Sequence, residues 1–264
     1  VPWIWPGIAA SAATVFAKAV GLPYSGWWGV FVLILIGIIY SAGTVVYKTQ
    51  EFVQKLIIVL GVPFIAILTI WLVTQYGDAS QILNALYSGI GKIPPGISMS
   101  AFLAALVYSG AGGNLNLAQS LYVKEKGYGM GKYSSKLHNV LTDSVDKDYK
   151  LTGQMFAMTK DNLARYRDWW RQVNIEHTLV FWLTGAVTII LLMSLSFVTA
   201  YGQPQVQSGI KFILLQSEFI SQRSNFAFGI LFLVMIGLML LGTQFSVYGS
   251  NARMATENLL IGTS

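Results

Sequence analysis

Six stretches of this chain stay apolar for about the twenty residues a helix needs to cross the roughly 30 Å hydrocarbon core of a bilayer. They cover residues 6–22, 28–47, 56–76, 98–123, 178–200 and 226–248. None alternates apolar and polar residues as a transmembrane strand does. The expected class is therefore an all-α integral membrane protein, one transmembrane domain over residues 1–264, with the lipid bilayer as its first partner. Composition agrees. Only 11% of residues are charged and 54% are hydrophobic, where a globular chain carries about 25% charged residues. There is no cysteine, which removes disulfides and thiolate chemistry. The chain opens on Val1 rather than methionine, residues 1–22 lack the charged start of a signal peptide, and the last residues enter a new apolar run. An internal piece of a longer protein is expected.

Loop charge gives the expected topology. Residues 124–176 hold ten of the 17 basic residues, 48–55 adds Lys48 and Lys55, and Arg253 follows the last run. The opposite loops carry only Lys92, Lys211 and Arg223. Cytoplasmic loops are enriched in Lys and Arg, so loops 48–55 and 124–176 are expected in the cytoplasm of a multi-pass plasma-membrane protein. This distribution accounts for the net charge of +6 without any nucleic acid. Residues 79–97 read as an interfacial helix and turn. Residues 160–176, with Asp161 four residues before Arg165 and then Trp169 and Trp170, read as an amphipathic helix on the inner membrane face.

The fourth run carries the main functional signal. Gly110, Gly112 and Gly113 fall in its middle, followed by Asn114 and Asn116. Each glycine costs a helix interior about 1 kcal/mol relative to alanine, and asparagine competes for backbone hydrogen bonds. A helix broken near 110–116 is tolerable in lipid only where the freed groups face protein, a polar ligand or water. Such breaks hold ions and substrates in secondary transporters; a merely kinked or closely packed helix is the other reading. Polar stripes mark two further runs, with Ser11, Thr14 and Lys18 in the first, and Thr243, Ser246 and Ser250 flanked by Gln244 and Asn251 in the last. They are candidates either to line a pathway or to bind helices together. All 11 acidic residues fall outside the apolar runs. Any site within the runs must then use amides, hydroxyls and carbonyls, which suit hard cations or small polar solutes.

Other motifs carry less. Residues 127–132, Gly-Tyr-Gly-Met-Gly-Lys, lack the spacing of a phosphate-binding loop and read as an exit from a helix. Asp143, Asp146 and Asp148 do not fit a calcium loop. His138 and His177 show no metal-ligand spacing. No nucleophile, base and acid can be placed together, so no enzyme is expected.

Two segments resemble the Nramp (natural resistance-associated macrophage protein) family of divalent-metal transporters. One runs from Gly21-Leu22-Pro23 through the connector Lys48-Thr-Gln-Glu51-Phe-Val-Gln-Lys55. The other is Gly110-Ala-Gly-Gly-Asn-Leu-Asn-Leu-Ala-Gln-Ser-Leu-Tyr122, which looks like the family's broken sixth helix. The resemblance implies part of a five-plus-five inverted-repeat (LeuT-type) fold, with the six runs matching family helices three to eight. It implies alternating-access transport of divalent cations (Mg²⁺, Mn²⁺ or Fe²⁺) held by Gly112, Gly113, Asn114, Asn116 and Gln119. The ion would be cargo, with no bound cofactor. The family's first helix, which carries its Asp-Pro-Gly-Asn ligands, would be a missing partner within the same protein. This chain departs from the family where Met-Pro-His is usual: it reads Gly113-Asn114-Leu115-Asn116, without the soft thioether, which shifts preference toward hard ions. The family's acidic pair on the third helix falls near Trp5 and Ile8, which puts proton coupling in doubt. A permease for amino acids or another small organic solute, or a sensor built on a transporter core, are the alternatives.

Overall fold

The computed structural model describes residues 6–42, 46–92, 97–108, 114–129, 131, 155–203 and 209–263. Every regular element among them is helical. In chain order these are α1 (Pro6–Ala19), α2 (Gly26–Ala42), α3 (Val46–Tyr76), α4 (Ala79–Ser88), α5 (Met99–Tyr108), α6 (Asn114–Lys126) and α7 (Lys160–Glu176). A π-helical turn (His177–Leu183) leads into α8 (Thr184–Ala200), followed by α9 (Ile210–Arg223) and α10 (Phe226–Thr263). Three stretches are long and apolar enough to cross a membrane: Gln50–Tyr76, Lys160–Ala200 and Phe226–Thr256. Gly7–Ala19 and Gly26–Ser41 are shorter apolar helices.

Several boundaries differ from those the apolar runs gave. The connector at 48–55 is helix, because α3 begins at Val46, and a 2.7 Å Lys55–Glu51 pair spans one of its turns. Residues 201–225, expected as a loop, contain α9. The last helix continues past residue 248 to Thr263. The helix at 160–176 runs on into the following helix without a break. Backbone angles at Glu176, His177, Leu183 and Thr184 are all right-handed helical, so α7, the π turn and α8 form one rod. At 1.5 Å per residue its 41 residues span about 60 Å, twice a bilayer core, so its polar first half extends beyond any apolar slab. The expected break at 110–116 falls largely on residues 109–113, outside the described residues, and helix resumes by Asn114.

α10 is the axis of the bundle. α1 lies along it through small residues, with Ala9, Ala12, Ala13 and Ala17 buried. A Cβ on Gly237 of α10 would stand 2.8 Å from the Phe16 ring, so close backbone approach fixes this seam. One apolar cluster joins α3, α8, α9 and α10 through Ile65, Leu68, Leu72, Leu195, Ile220 and Phe232. A second joins α1, α2 and α10 through Ala9, Ala13, Val32, Ile36, Tyr40 and Phe245. α9 docks by polar contacts: Gln216 donates to Ser196 Oγ (3.0 Å) and Thr199 Oγ1 (3.2 Å), and Ser217 donates to the Gly229 carbonyl (3.2 Å). The outer faces are apolar, with Ile34, Ile38, Ile67, Ile70, Val180 and Trp182 exposed, as suits contact with lipid. One end of the bundle gathers the ends of α1, α3 and α8. There Lys18 meets Glu218, the Tyr76 hydroxyl donates to the Arg223 carbonyl, and Gly77 faces Val198. Exposed Tyr24, Trp27, Tyr76 and Tyr201 sit near that end, the positions an interfacial aromatic belt takes.

Candidate functional site

α6 presents two chemically distinct faces. Ala118, Tyr122 and Glu125, spaced i, i+4, i+7, share one face. Gln119 and Lys126, seven residues apart, share another about 100° away. The first face meets α10 and α3. There Glu125 and Arg253 form an ion pair at 3.1 Å with side chains only 6% and 2% exposed. Burial on this scale costs several kcal/mol per ion before pairing repays it, so this pair is the least expected feature of the bundle.

The surroundings of Arg253 are polar and aromatic. Its guanidinium carbon lies 4.6 Å from the Tyr122 ring centroid, within cation–π range. Gln50 of α3 donates from Nε2 to the Tyr122 hydroxyl at 2.6 Å. Tyr40 of α2 stacks on Phe245 with centroids 4.0 Å apart and donates its hydroxyl to the Phe245 carbonyl at 2.8 Å. Ser250 is fully buried and donates to the Val247 carbonyl at 3.0 Å, and Gln244 is also fully buried. Four helices thus converge on one polar centre. Among the described residues, Arg253 Nε and Nη1 and Gln50 Oε1 make no hydrogen bond. That leaves donors and an acceptor for water or a polar solute to satisfy.

The second face of α6 meets the rod. Gln119 Nε2 lies 3.4 Å from His177 Nδ1 at the first residue of the π turn. Lys126 and the Tyr128 hydroxyl both donate to the Glu176 carboxylate. Burial alone would lower the Lys126 pKa, but these bonds to Glu176 and Tyr128 outweigh it and hold the ammonium above its ordinary range. α6 ends on Gly127, whose φ of 86° allows the Gly127 and Tyr128 amides to bond back to the Lys124 and Val123 carbonyls. The glycine-rich stretch at 127–132 is, in its described residues, this helix terminus, with Gly129 packed under the Trp169 ring.

The residues singled out from sequence do not form one cluster. Gly112 and Gly113 lie outside the described residues. Asn114 and Asn116 are in the first turn of α6, and their side chains are likewise outside the description. Gln119 faces His177 rather than the polar centre. Of the first stripe, Ser11 is half-buried, Thr14 returns its hydroxyl to the Ala10 carbonyl (2.8 Å), and Lys18 pairs with Glu218 at 3.1 Å where both are about half exposed. Of the last stripe, Thr243 is exposed and bonded to the Met239 carbonyl (2.9 Å), Ser246 is half-buried, and only Gln244 and Ser250 are buried, Ser250 one turn before Arg253. The two residues that define the polar centre, Glu125 and Arg253, were read as loop charges. A signal was present, because Arg253 continues the Ser246 and Ser250 spacing at i+7. Among the described residues no three His, Cys, Asp or Glu side chains gather as a metal site would require.

No family model, curated protein or solved structure matches this chain.

Proposed function

We infer that the protein is a secondary transporter of divalent metal cations, Mg²⁺, Mn²⁺ or Fe²⁺, working by alternating access on a LeuT-type fold with six of its helices in this chain. The observation that supports transport is the buried Glu125–Arg253 pair with its polar neighbours, set inside a bundle whose outer faces are apolar. Ionisable groups inside such a bundle mark solute pathways. The choice of a divalent metal rests on the resemblance of residues 21–55 and 110–122 to the Nramp family. On this reading Gly112, Gly113, Asn114, Asn116 and Gln119 offer the ion carbonyl and amide oxygens, and loop 124–176 is cytoplasmic in the plasma membrane.

A second reading, a permease for a small organic solute bearing a carboxylate, is favoured by one observation. Beside its ion pair with Glu125, Arg253 keeps Nε and Nη1 without a hydrogen bond among the described residues, donors whose geometry suits the oxygens of a carboxylate. The amide end of α6, which also opens on Asn114, has the same polarity. Calorimetric titration of the full-length protein with Mg²⁺, Mn²⁺ and Cd²⁺ separates the two. Heat with Mn²⁺ or Mg²⁺, weak heat with Cd²⁺, and loss of uptake in Asn114→Ala support the metal reading. No heat with any ion rejects it.

A further inference from the structure

Packing does not account for the π turn in the rod. Neither α7 nor His177–Leu183 buries a residue. A π turn bonds an amide to the fifth carbonyl back rather than the fourth, so it takes up one residue more than α-helix would. The Thr184 amide and hydroxyl both donate to the Leu179 carbonyl, five residues back, the hydroxyl at 3.0 Å. Thr188 and Thr199 of the same rod return their hydroxyls only four residues back, to Thr184 and Leu195. The cause of the extra residue therefore lies at the two ends of the turn.

One end is fixed by the core, where α8 buries Leu195 and Val198 against α3, α9 and α10. The other is set by the end of α6: Lys126 and the Tyr128 hydroxyl hold the Glu176 carboxylate, and the Trp169 ring covers Gly129. The two ends demand phases that differ by one residue. Closing the turn to α-helix would rotate α7 by about 100° on its axis and extend the rod by about 1.5 Å. Each place a residue of α7 now holds beside α6 would then pass to the residue that follows it. Glu176 would give way to His177, and Trp169 to Trp170. The tandem tryptophans let the Gly129 contact form in either phase, and the position of the carboxylate chooses between them.

The same rotation changes what α7 shows to its surroundings. Leu163, Tyr166 and Trp170 make an exposed apolar stripe. Their places would pass to Ala164, Arg167 and Arg171.

We propose that the π turn is a rotary joint with two seats against the end of α6, presenting an aromatic stripe of α7 in one seat and a basic stripe in the other. Glu176 occupies the first seat here. A change in α6 that withdraws Lys126 and Tyr128 lets the turn close to α-helix, the commoner state by far, so α6 and the rod bias one two-state element. The joint acts whether or not the protein carries a solute.

Pulsed electron paramagnetic resonance tests it. The chain has no cysteine, so nitroxide pairs can be placed in full-length protein with any other cysteines replaced by serine. Thr256→Cys on α10 is combined in turn with Arg165→Cys and Arg167→Cys, all three positions being exposed. Residues 165 and 167 lie on nearly opposite sides of α7, about 200° apart. Glu176→Gln with His177→Glu moves the carboxylate to the second seat. Side chains ride about 5 Å from a helix axis, so both distances should change, in opposite senses, by up to about 8 Å. Deleting Val180 removes the extra residue and leaves Glu176 seated, so both distances should keep their parent values. Distances unmoved by the shifted carboxylate overturn the joint. So do distances that change in the same sense, as they would if α7 leaned rather than turned, and so does a deletion variant displaced from the parent.

Discussion

Gly249 lies directly against Tyr40: a Cβ built on the glycine would overlap the tyrosine hydroxyl oxygen and stand 2.9 Å from Cζ. Tyr40 has nowhere to retreat, since its ring is stacked on Phe245 and its hydroxyl is bonded to the Phe245 carbonyl. Gly249→Ala should therefore destabilise the protein by about 1–3 kcal/mol, the usual cost of overpacking a filled core. Thermal unfolding in detergent measures this. Adding Tyr40→Phe, which removes the overlapped oxygen, should recover part of the loss; no recovery would place the strain elsewhere.

Glu125 and Arg253 should be strongly coupled in stability. Removing one partner strands a buried charge at a cost of about 3–5 kcal/mol, whereas replacing both with apolar residues of similar volume is often close to neutral. Glu125→Met and Arg253→Met should each lower the melting temperature sharply, and the double variant should lie above either single. Additive losses would show that the pair is not coupled.

The contact between α6 and the rod should weaken in strong alkali. Lys126 has its pKa raised in the folded protein, so its contribution is complete below its ordinary value near 10.5 and disappears as pH climbs through the higher folded value. Tyr128, bonded to Glu176, is shifted upward too and acts in the same direction. The difference in melting temperature between the parent and Lys126→Met should be constant at neutral pH and shrink above about pH 10.5. A difference that persists unchanged in alkali would assign the effect to packing of the lysine stem.

α4 should fray in acid. Asp78 caps it, accepting from the Ser80 hydroxyl at 2.6 Å and the Ser80 amide at 2.9 Å, and these bonds hold its carboxyl below the usual range. A lowered folded pKa means stability that is present above the ordinary value near 3.8 and lost as pH falls through the folded one. Hydrogen exchange at the first amides of α4 should speed up below that range after correction for intrinsic rates. Asp78→Asn, which still caps but does not titrate, should abolish the acid dependence.

Hydropathy located helices but not their ends. An apolar run marks where side chains suit lipid, whereas a helix stops where its backbone bonding stops. Lys48, Glu51 and Lys55 therefore looked like a loop while lying in α3, and the Lys160–Glu176 segment looked separate from α8 although nothing interrupts the bonding between them. α9 escaped notice because Gln216, Ser217 and Glu218 dilute its fourteen residues, and two of those three bury their polarity against other helices. The polar centre was hidden for a related reason. Counting Glu125 and Arg253 as loop charges assumed that ions stay with water, and it is their mutual proximity, set by tertiary packing, that permits burial. Gln244 and Ser250 were legible because polar residues inside an apolar run stand out without any partner being known.

The rod formed by α7, the π turn and α8 has a mechanical consequence. About 24 residues at 1.5 Å each separate Thr184 from Lys160, so a tilt of about 10° around Thr184 carries the far tip through about 6 Å. Glu176 and His177, where α6 is fastened, ride partway along this arm. Whatever grips the polar tip thereby gains leverage over α6, and a force too small to shift a packed helix directly is multiplied by the length of the lever.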